Sequence, residues 1–172
     1  MPLTLIKEDG TGKADANAYA NVADGDAYHA GHLYASAWTA ATADNKAVSL
    51  VMASRLIDAE FQFGGVCAVA VQALQWPRRQ CRIPDDEDEL ADDIVPKAVV
   101  QATCELAREL LIADRTASPA GEGLKYQNNG SVQTGYDKTD TRPIIPGVVQ
   151  ALLAKYGALI KAKSGAVKLV RV

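Results

Sequence analysis

Aromatic residues are scarce in this chain, with Phe, Trp and Tyr making only 6% of its 172 residues. Alanine fills 30 positions, so a core here relies on close helix packing more than on large ring anchors. No run of 18 apolar residues occurs, which excludes a helix long enough to cross a membrane. The opening segment Met1-Pro2-Leu3-Thr4-Leu5-Ile6-Lys7-Glu8 lacks a basic stretch followed by an apolar one, so no secretory signal is expected. Cysteine is limited to Cys67, Cys81 and Cys104, without a C-x-x-C pair. That excludes a disulfide scaffold and fits a reduced compartment, such as a cytoplasm. With 48% hydrophobic and 23% charged residues, the composition also excludes collagen and wholesale disorder. The length suits one domain with a real core.

Acidic residues are missing altogether after Asp140. Residues 1–141 carry 12 basic and 21 acidic side chains, a net charge of −9. The last 32 residues carry Arg142, Lys155, Lys161, Lys163, Lys168 and Arg171, a net charge of +6. A second concentration lies at 85–93, where seven of nine residues are acidic. Segregated charge of this kind suits meeting a partner, or another copy, through surfaces of opposite sign. Solvated loops and ends are the plainer alternative.

Periodicity and capping residues point to a mainly α fold, a small bundle of about four helices. Asn21, with Asp24 three residues on, is an N-cap for a helix from Val22 to about Leu33, although Gly25 and Gly31 weaken it. A second helix starts near Thr42, with Leu50, Val51, Ser54, Ile57 and Phe61 on one face, and stops by Gly64-Gly65. A third starts at Pro96 and runs to about Asp114 with a wide apolar stripe from Val99 to Leu111. A last helix follows Pro143 and Pro146, carries Val149, Leu152, Leu153, Tyr156, Leu159 and Ile160 along one side, and is ended by Ser164-Gly165. Residues 3–6 read as a short strand before the turn Asp9-Gly10-Thr11-Gly12. Residues 122–141 read as a polar β-hairpin arm around Asn128-Asn129-Gly130, and 163–172 as an extended tail. The expected organisation is therefore one domain over 1–172: a helical core at about 20–115 and 146–162, an arm at about 122–141, and the tail. Arm and tail have no evident partner in their own chain, which makes them candidates for completion by a neighbour.

Catalytic motifs are not found. Gly10-Thr11-Gly12-Lys13 resembles part of a phosphate loop, but position 7 is Lys where the pattern needs Gly, and position 14 is Ala where it needs Ser or Thr. A plain turn is the expectation. His29 and His32 have a spacing that suits two metal ligands, but nothing at matching spacing completes such a site, and two surface histidines beside Tyr28 are the expectation. No serine, cysteine or lysine stands in a nucleophile context. The expectation is no enzyme, no cofactor and no metal.

Nucleic-acid binding has a more specific basis. Trp76, Arg78 and Arg79, with Arg82, Tyr126 and Tyr136, offer rings for base stacking and cations for phosphates. The competing reading closes a core corner with Trp76 and Pro77 and pairs Arg78 and Arg79 with acids such as those at 85–93. The net acidity of the chain favours the second.

An ordered string of residues completes the picture: Asp9-Gly10-Thr11-Gly12, Ala16-Asn17-Ala18-Tyr19, Asp26-Ala27-Tyr28, Trp38, Leu56-Ile57-Asp58, Leu74-Gln75-Trp76-Pro77-Arg78, Ile83-Pro84 and Pro96. Over residues 3–115 this resembles the head–tail connector (adaptor, or head-completion) proteins of tailed bacteriophages. Sequences of this type also carry the label of DnaT-like single-stranded-DNA binders. The resemblance implies a structural virion protein at the head–tail interface, made in the host cytoplasm. It implies a ring, commonly of twelve subunits, between a portal protein and a tail or stopper protein, with phage genomic DNA passing through the lumen. In that setting Lys161, Lys163, Lys168, Leu169, Arg171, Tyr126 and Tyr136 are the expected contacts with portal or neighbour. The alternative is a single-stranded-DNA-binding accessory protein using Trp76, Arg78 and Arg79. The acid stretch between Pro84 and Ile94 and the pair Gly64-Gly65 depart from the connector pattern.

Overall fold

The computed structural model describes residues 3–82, 89–117, 126–129, 132–135 and 142–160. Among these the chain forms α1 (Val22–His29), α2 (Ser36–Thr39), α3 (Ala43–Glu60), β1 (Phe61–Phe63), β2 (Val66–Cys67) and β3 (Arg78–Arg79). It continues with α4 (Lys97–Ile112), β4 (Tyr126–Asn129), β5 (Val132–Gly135), α5 (Gly147–Leu153) and β6 (Gly157–Leu159).

Local chemistry accounts for the helix starts. The Asn21 side chain accepts from the Asp24 N–H at 2.9 Å, and the Asp24 carboxylate accepts from the Asn21 N–H at 2.8 Å, a reciprocal capping box for α1. Thr42 Oγ1 caps α3 by accepting from the Asn45 N–H. Pro96 occupies the N-cap of α4, one position earlier than the sequence suggested. Helix α4 is the centre of the molecule and packs against α1, α2, α3 and α5. Its residues from Ala102 to Arg108 are all buried. Leu50, Ala53 and Ile57 of α3 join Val99, Leu106 and Ala107 of α4, Val149 and Leu153 of α5, and Tyr19, Trp38 and Trp76 in one core. Glycine at 25 is required by this packing: a Cβ there would lie 2.3 Å from the Trp38 ring. The residue that weakens α1 as a helix is the one that admits the indole.

The architecture is mixed α/β rather than the mainly α bundle expected, with five helices and three two-stranded antiparallel ladders among the described residues. Two segments make the difference. After α3 the chain does not merely stop; it runs on as β1, and β2 pairs with β3, Val66 facing Arg79 and Cys67 facing Arg78. The last helix ends at Leu153 instead of running through Ile160, and the chain returns as β6 to pair with β1, Phe61 facing Leu159 and Phe63 facing Gly157. Backbone groups of 61–63 thereby find partners that no local signal announces. The strand expected at 3–6 reduces to a single parallel bridge, Lys7 with Ala18. Within the segment read as an arm, β4 and β5 pair from Tyr126 with Gly135 to Asn129 with Val132, while 122–125, 130–131 and 136–141 lie outside the described residues. The tail at 163–172 lies outside the described residues.

A buried polar node ties three segments together. Tyr19 Oη donates to Asp58 Oδ1 at 2.5 Å, and the Gln75 N–H donates to Asp58 Oδ2 at 3.1 Å. The Trp76 N–H donates to Tyr19 Oη, while Gln75 Nε2 donates to the carbonyls of Asp58 and Phe61. Burial pushes the Asp58 carboxyl up to about 6 against the hydrogen bonds from Tyr19 and Gln75, and burial raises the Tyr19 phenol too. A carboxyl whose folded pKa is raised holds its proton more tightly in the fold than in the unfolded chain. Its contribution to stability is therefore fully present below about 3.8 and is lost as pH rises through about 6. The expected outcome is that the urea-unfolding free energy of the native protein, taken relative to Asp58→Asn, falls by about 2–3 kcal/mol between pH 4 and pH 7. A flat difference would show that Asp58 does not titrate in this window.

Candidate nucleic-acid interface

The residues singled out for stacking and phosphate contact do not share a surface. Trp76 is fully buried and meets Phe63 and Tyr156 edge-on, with ring centroids 5.5 and 5.8 Å away. Arg78 is buried too, and backbone oxygens rather than acids receive its guanidinium. Nε donates to the Gly64 carbonyl at 2.6 Å, Nη1 to Gln75 at 3.0 Å, and Nη2 to Phe63 and Gly65 at 3.3 and 2.9 Å. Arg79 is exposed on β3. Arg78 thus does not meet the acidic run as expected, while Arg82, not part of that expectation, does, with Nε 3.6 Å from Glu89 Oε1. Tyr126 stands in β4 opposite Gly135, whereas Tyr136, Lys161, Lys163, Lys168, Leu169 and Arg171 lie outside the described residues.

The loop that resembles a phosphate cradle is already filled. Gly10 and Gly12 N–H groups donate to Glu8 Oε1 at 2.9 Å each, and the Lys13 N–H donates to Oε2 at 2.8 Å. Glu8 has no solvent exposure. Gly10 and Gly12 have φ of 101° and 73°, the left-handed backbone that lets successive N–H groups converge on one anion. That anion is the chain's own carboxylate.

A different surface gathers rings and a cation without an ion-pair partner among the described residues. Between α1 and α4 opens a cleft of about 600 Å³. Tyr28, His32 and Asp24 line one side, and Lys97, Val100, Gln101 and Cys104 line the other. Ring contacts run outward from it: Tyr28 to His29 with centroids 4.9 Å apart, His29 to His32 at 5.8 Å, and His32 to Tyr34 at 6.5 Å. Tyr34 is 73% exposed and its neighbour Leu33 is 86% exposed. Lys97 opens α4, where Pro96 supplies no side-chain cap. Its ammonium has no ion-pair partner among the described residues. Ammonium and helix start both favour a negative ligand at that end.

The floor of the cleft is fixed from below. His29 Nε2 lies 3.1 Å from the Cys104 carbonyl, which assigns the proton to Nε2, and its ring lies against Trp38. Burial holds the His29 imidazole below its ordinary pKa, keeping it neutral. Trp38 Nε1 and Lys46 Nζ both donate to Asp26 Oδ1 at 2.8 Å, and these contacts, Lys46 foremost, lower the Asp26 carboxyl. Glu105 is buried beneath His32, Oε1 receiving Arg108 Nη2 at 2.6 Å and Oε2 lying 3.7 Å from His32 Nε2. The two histidines thus face different partners, and no group of three His, Cys, Asp or Glu among the described residues could hold a metal ion. The Cys104 thiol is pushed up to about 12 by burial and stays protonated. The arrangement sets the half-buried rings of Tyr28 and His32 and the Lys97 side chain around one cleft.

Sequence reasoning set metal ligation against two surface histidines beside Tyr28, whereas His29 is buried and His32 half-buried. The stronger signal was clustering: both histidines and three of the ten aromatic residues fall within 28–38.

Because four carbonyls depend on one guanidinium, Arg78→Ala should destabilise the fold by about 3 kcal/mol in urea unfolding, and Arg78→Lys, with its single ammonium, should recover little of that. An Arg78→Ala protein as stable as the native chain would contradict the buried assignment.

Residues 3–172 match the family model described as "Putative DnaT-like ssDNA binding protein". No curated protein and no solved structure matches the chain. The match carries a single-stranded-DNA description and not a virion one, and it overturns the expectation of a virion head–tail connector. Almost the whole chain is covered by that match, and the chain belongs to the DnaT-like ssDNA-binding family so described.

Proposed function

We propose that this protein is a non-catalytic accessory protein that binds single-stranded DNA along the cleft between α1 and α4. The carrying observation is the run of rings from Tyr28 through His32 to the exposed Tyr34, with Lys97, which has no ion-pair partner among the described residues, lining the same cleft as Tyr28 and His32. Single strands are bound by stacking bases on such faces while cations track the backbone, and stacking tolerates any sequence. Family membership supports the same ligand class. The six basic and no acidic residues from Arg142 onward supply further phosphate contacts in a chain whose net charge is otherwise acidic. Trp76 and Arg78 serve the fold in this account, and the strand-contacting role passes to Tyr34, His32 and Lys97.

The test is fluorescence anisotropy with a labelled mixed-sequence oligodeoxynucleotide of about 16 nucleotides at low salt. Tyr34→Ala should weaken binding by about 5- to 150-fold, the range for losing one stacked base. Lys97→Ala should weaken it and make the dependence of log K on log salt shallower by about 0.7. Replacing Lys161, Lys163, Lys168 and Arg171 together by Gln in the full chain should reduce that slope by about 3. Absence of binding by the native protein at low salt would overturn the proposal.

A further inference from the structure

We infer that the outward face of α3 is a self-association surface, and that its occupant is the same face of a second copy of this chain, laid antiparallel across a two-fold axis. The face shares no residue with the α1–α4 cleft. Helix α3 is apolar on two sides. Leu50, Ala53 and Ile57 enter the core. Val48 and Met52, one turn apart, stand on the solvent side, Val48 with 51% of its surface exposed and Met52 half-buried. Beside them a groove of about 410 Å³ separates α3 from the N-terminal segment, and Leu56 and the exposed Leu3 complete its apolar lining. Scattered apolar residues on a surface are ordinary, whereas a contiguous patch of this kind marks a contact.

The charges on the same helix decide what fits there. Asp44 and Arg55 are both exposed, and neither has a hydrogen bond or ion pair among the described residues. At 3.6 residues per turn, the step from Asp44 to Arg55 comes round to within about 20° of the same direction and advances about 16 Å along the axis. The two charges therefore stand on one edge of the stripe that carries Val48 and Met52, with opposite signs at opposite ends. A two-fold axis perpendicular to α3 lays the helix on its copy in reverse, so that each residue meets the one equally far beyond the axis. The midpoint of Asp44 and Arg55 falls between residues 49 and 50, and that of Val48 and Met52 falls at 50. One axis thus sets Asp44 against Arg55 of the second copy at both ends, and Val48 against Met52 of the second copy at the centre. A parallel arrangement would oppose Asp44 to Asp44 and Arg55 to Arg55 and is disfavoured by like-charge repulsion. A pattern complementary to its own reverse needs no foreign partner.

The experiment is sedimentation velocity on the full chain without DNA, from low to high micromolar concentration. The native protein should pass from the mass of one chain to that of two. Val48→Glu, at a position already open to solvent, should keep the far-UV circular dichroism of the native chain and stay monomeric throughout. Arg55→Asp and Asp44→Arg, each alone, oppose like charges at both ends and should weaken association by about tenfold or more. The two changes together in one chain should restore it. Mixing the two singly changed proteins should restore it as well, because each end then joins one cation to one anion again, and that recovery also shows that both variants are folded. A single-chain mass for the native protein at every concentration leaves the face to another partner and overturns the inference. A dimer that survives Val48→Glu, or a loss on charge reversal that neither the double change nor the mixture repairs, overturns it too.

Discussion

Helix α4 has no solvent face along its middle turns, and the rest of the molecule is arranged around that fact. From Ala102 to Arg108 every residue is buried, so the polar ones must find partners inside. Thr103 Oγ1 donates back to the Val99 carbonyl at 2.9 Å, and Arg108 joins Glu105 and Glu109 at 2.6 and 2.7 Å. Breaking such a buried pair costs more than forming it gains, because the remaining charge is left without water. Glu109 extends the network to Arg115, whose Nε and Nη2 donate to the carbonyls of Ile144 and Pro143. One chain of charges therefore runs from beneath α1 to the segment that leads into α5.

The cleft inherits its shape from the same centre. Its α4 wall is part of a helix packed against four others, and its α1 wall is held by the His29 ring on the Cys104 carbonyl and on Trp38. Walls built on packed helices keep side chains such as Tyr28 and Gln101 at fixed separations. Tyr34 and Leu33, in the loop after α1, are not restrained in this way and stand open to solvent. The surface thus joins a rigid slot to an adaptable platform.

What the sequence made legible follows from how local each signal is. Asn21 with Asp24, Thr42 and Pro96 mark helix starts through atoms three or four residues away, and the structure places all three starts within one residue of expectation. The pairing of Phe61 with Leu159 joins residues far apart in the chain, and nothing near either residue announces it. The end of α5 at Leu153 was hidden because Tyr156 and Leu159 keep a helical spacing while serving the core from a turn and a strand. Trp76 and Arg78 were ambiguous for a related reason. A tryptophan beside two arginines has the composition of a nucleic-acid contact, yet those residues pack against Phe63 and bond the carbonyls of 63–65. The cleft was missed since Gln101 and Lys97 meet Tyr28 and His32 only after α1 and α4 pack.

Glu8 carries a consequence beyond its own loop. A turn that would otherwise be an open cradle for solution anions has its guest attached covalently two to five residues upstream, at an effective concentration no buffer ion can match. The bend at 9–13 is therefore indifferent to phosphate or sulfate in its surroundings, and its shape is set when the chain folds rather than when a ligand arrives. That bend also presses Gly10 against the Asp93 carbonyl and Gly12 against Val69. A sealed internal ion thus fixes the bend against which two distant loops are seated.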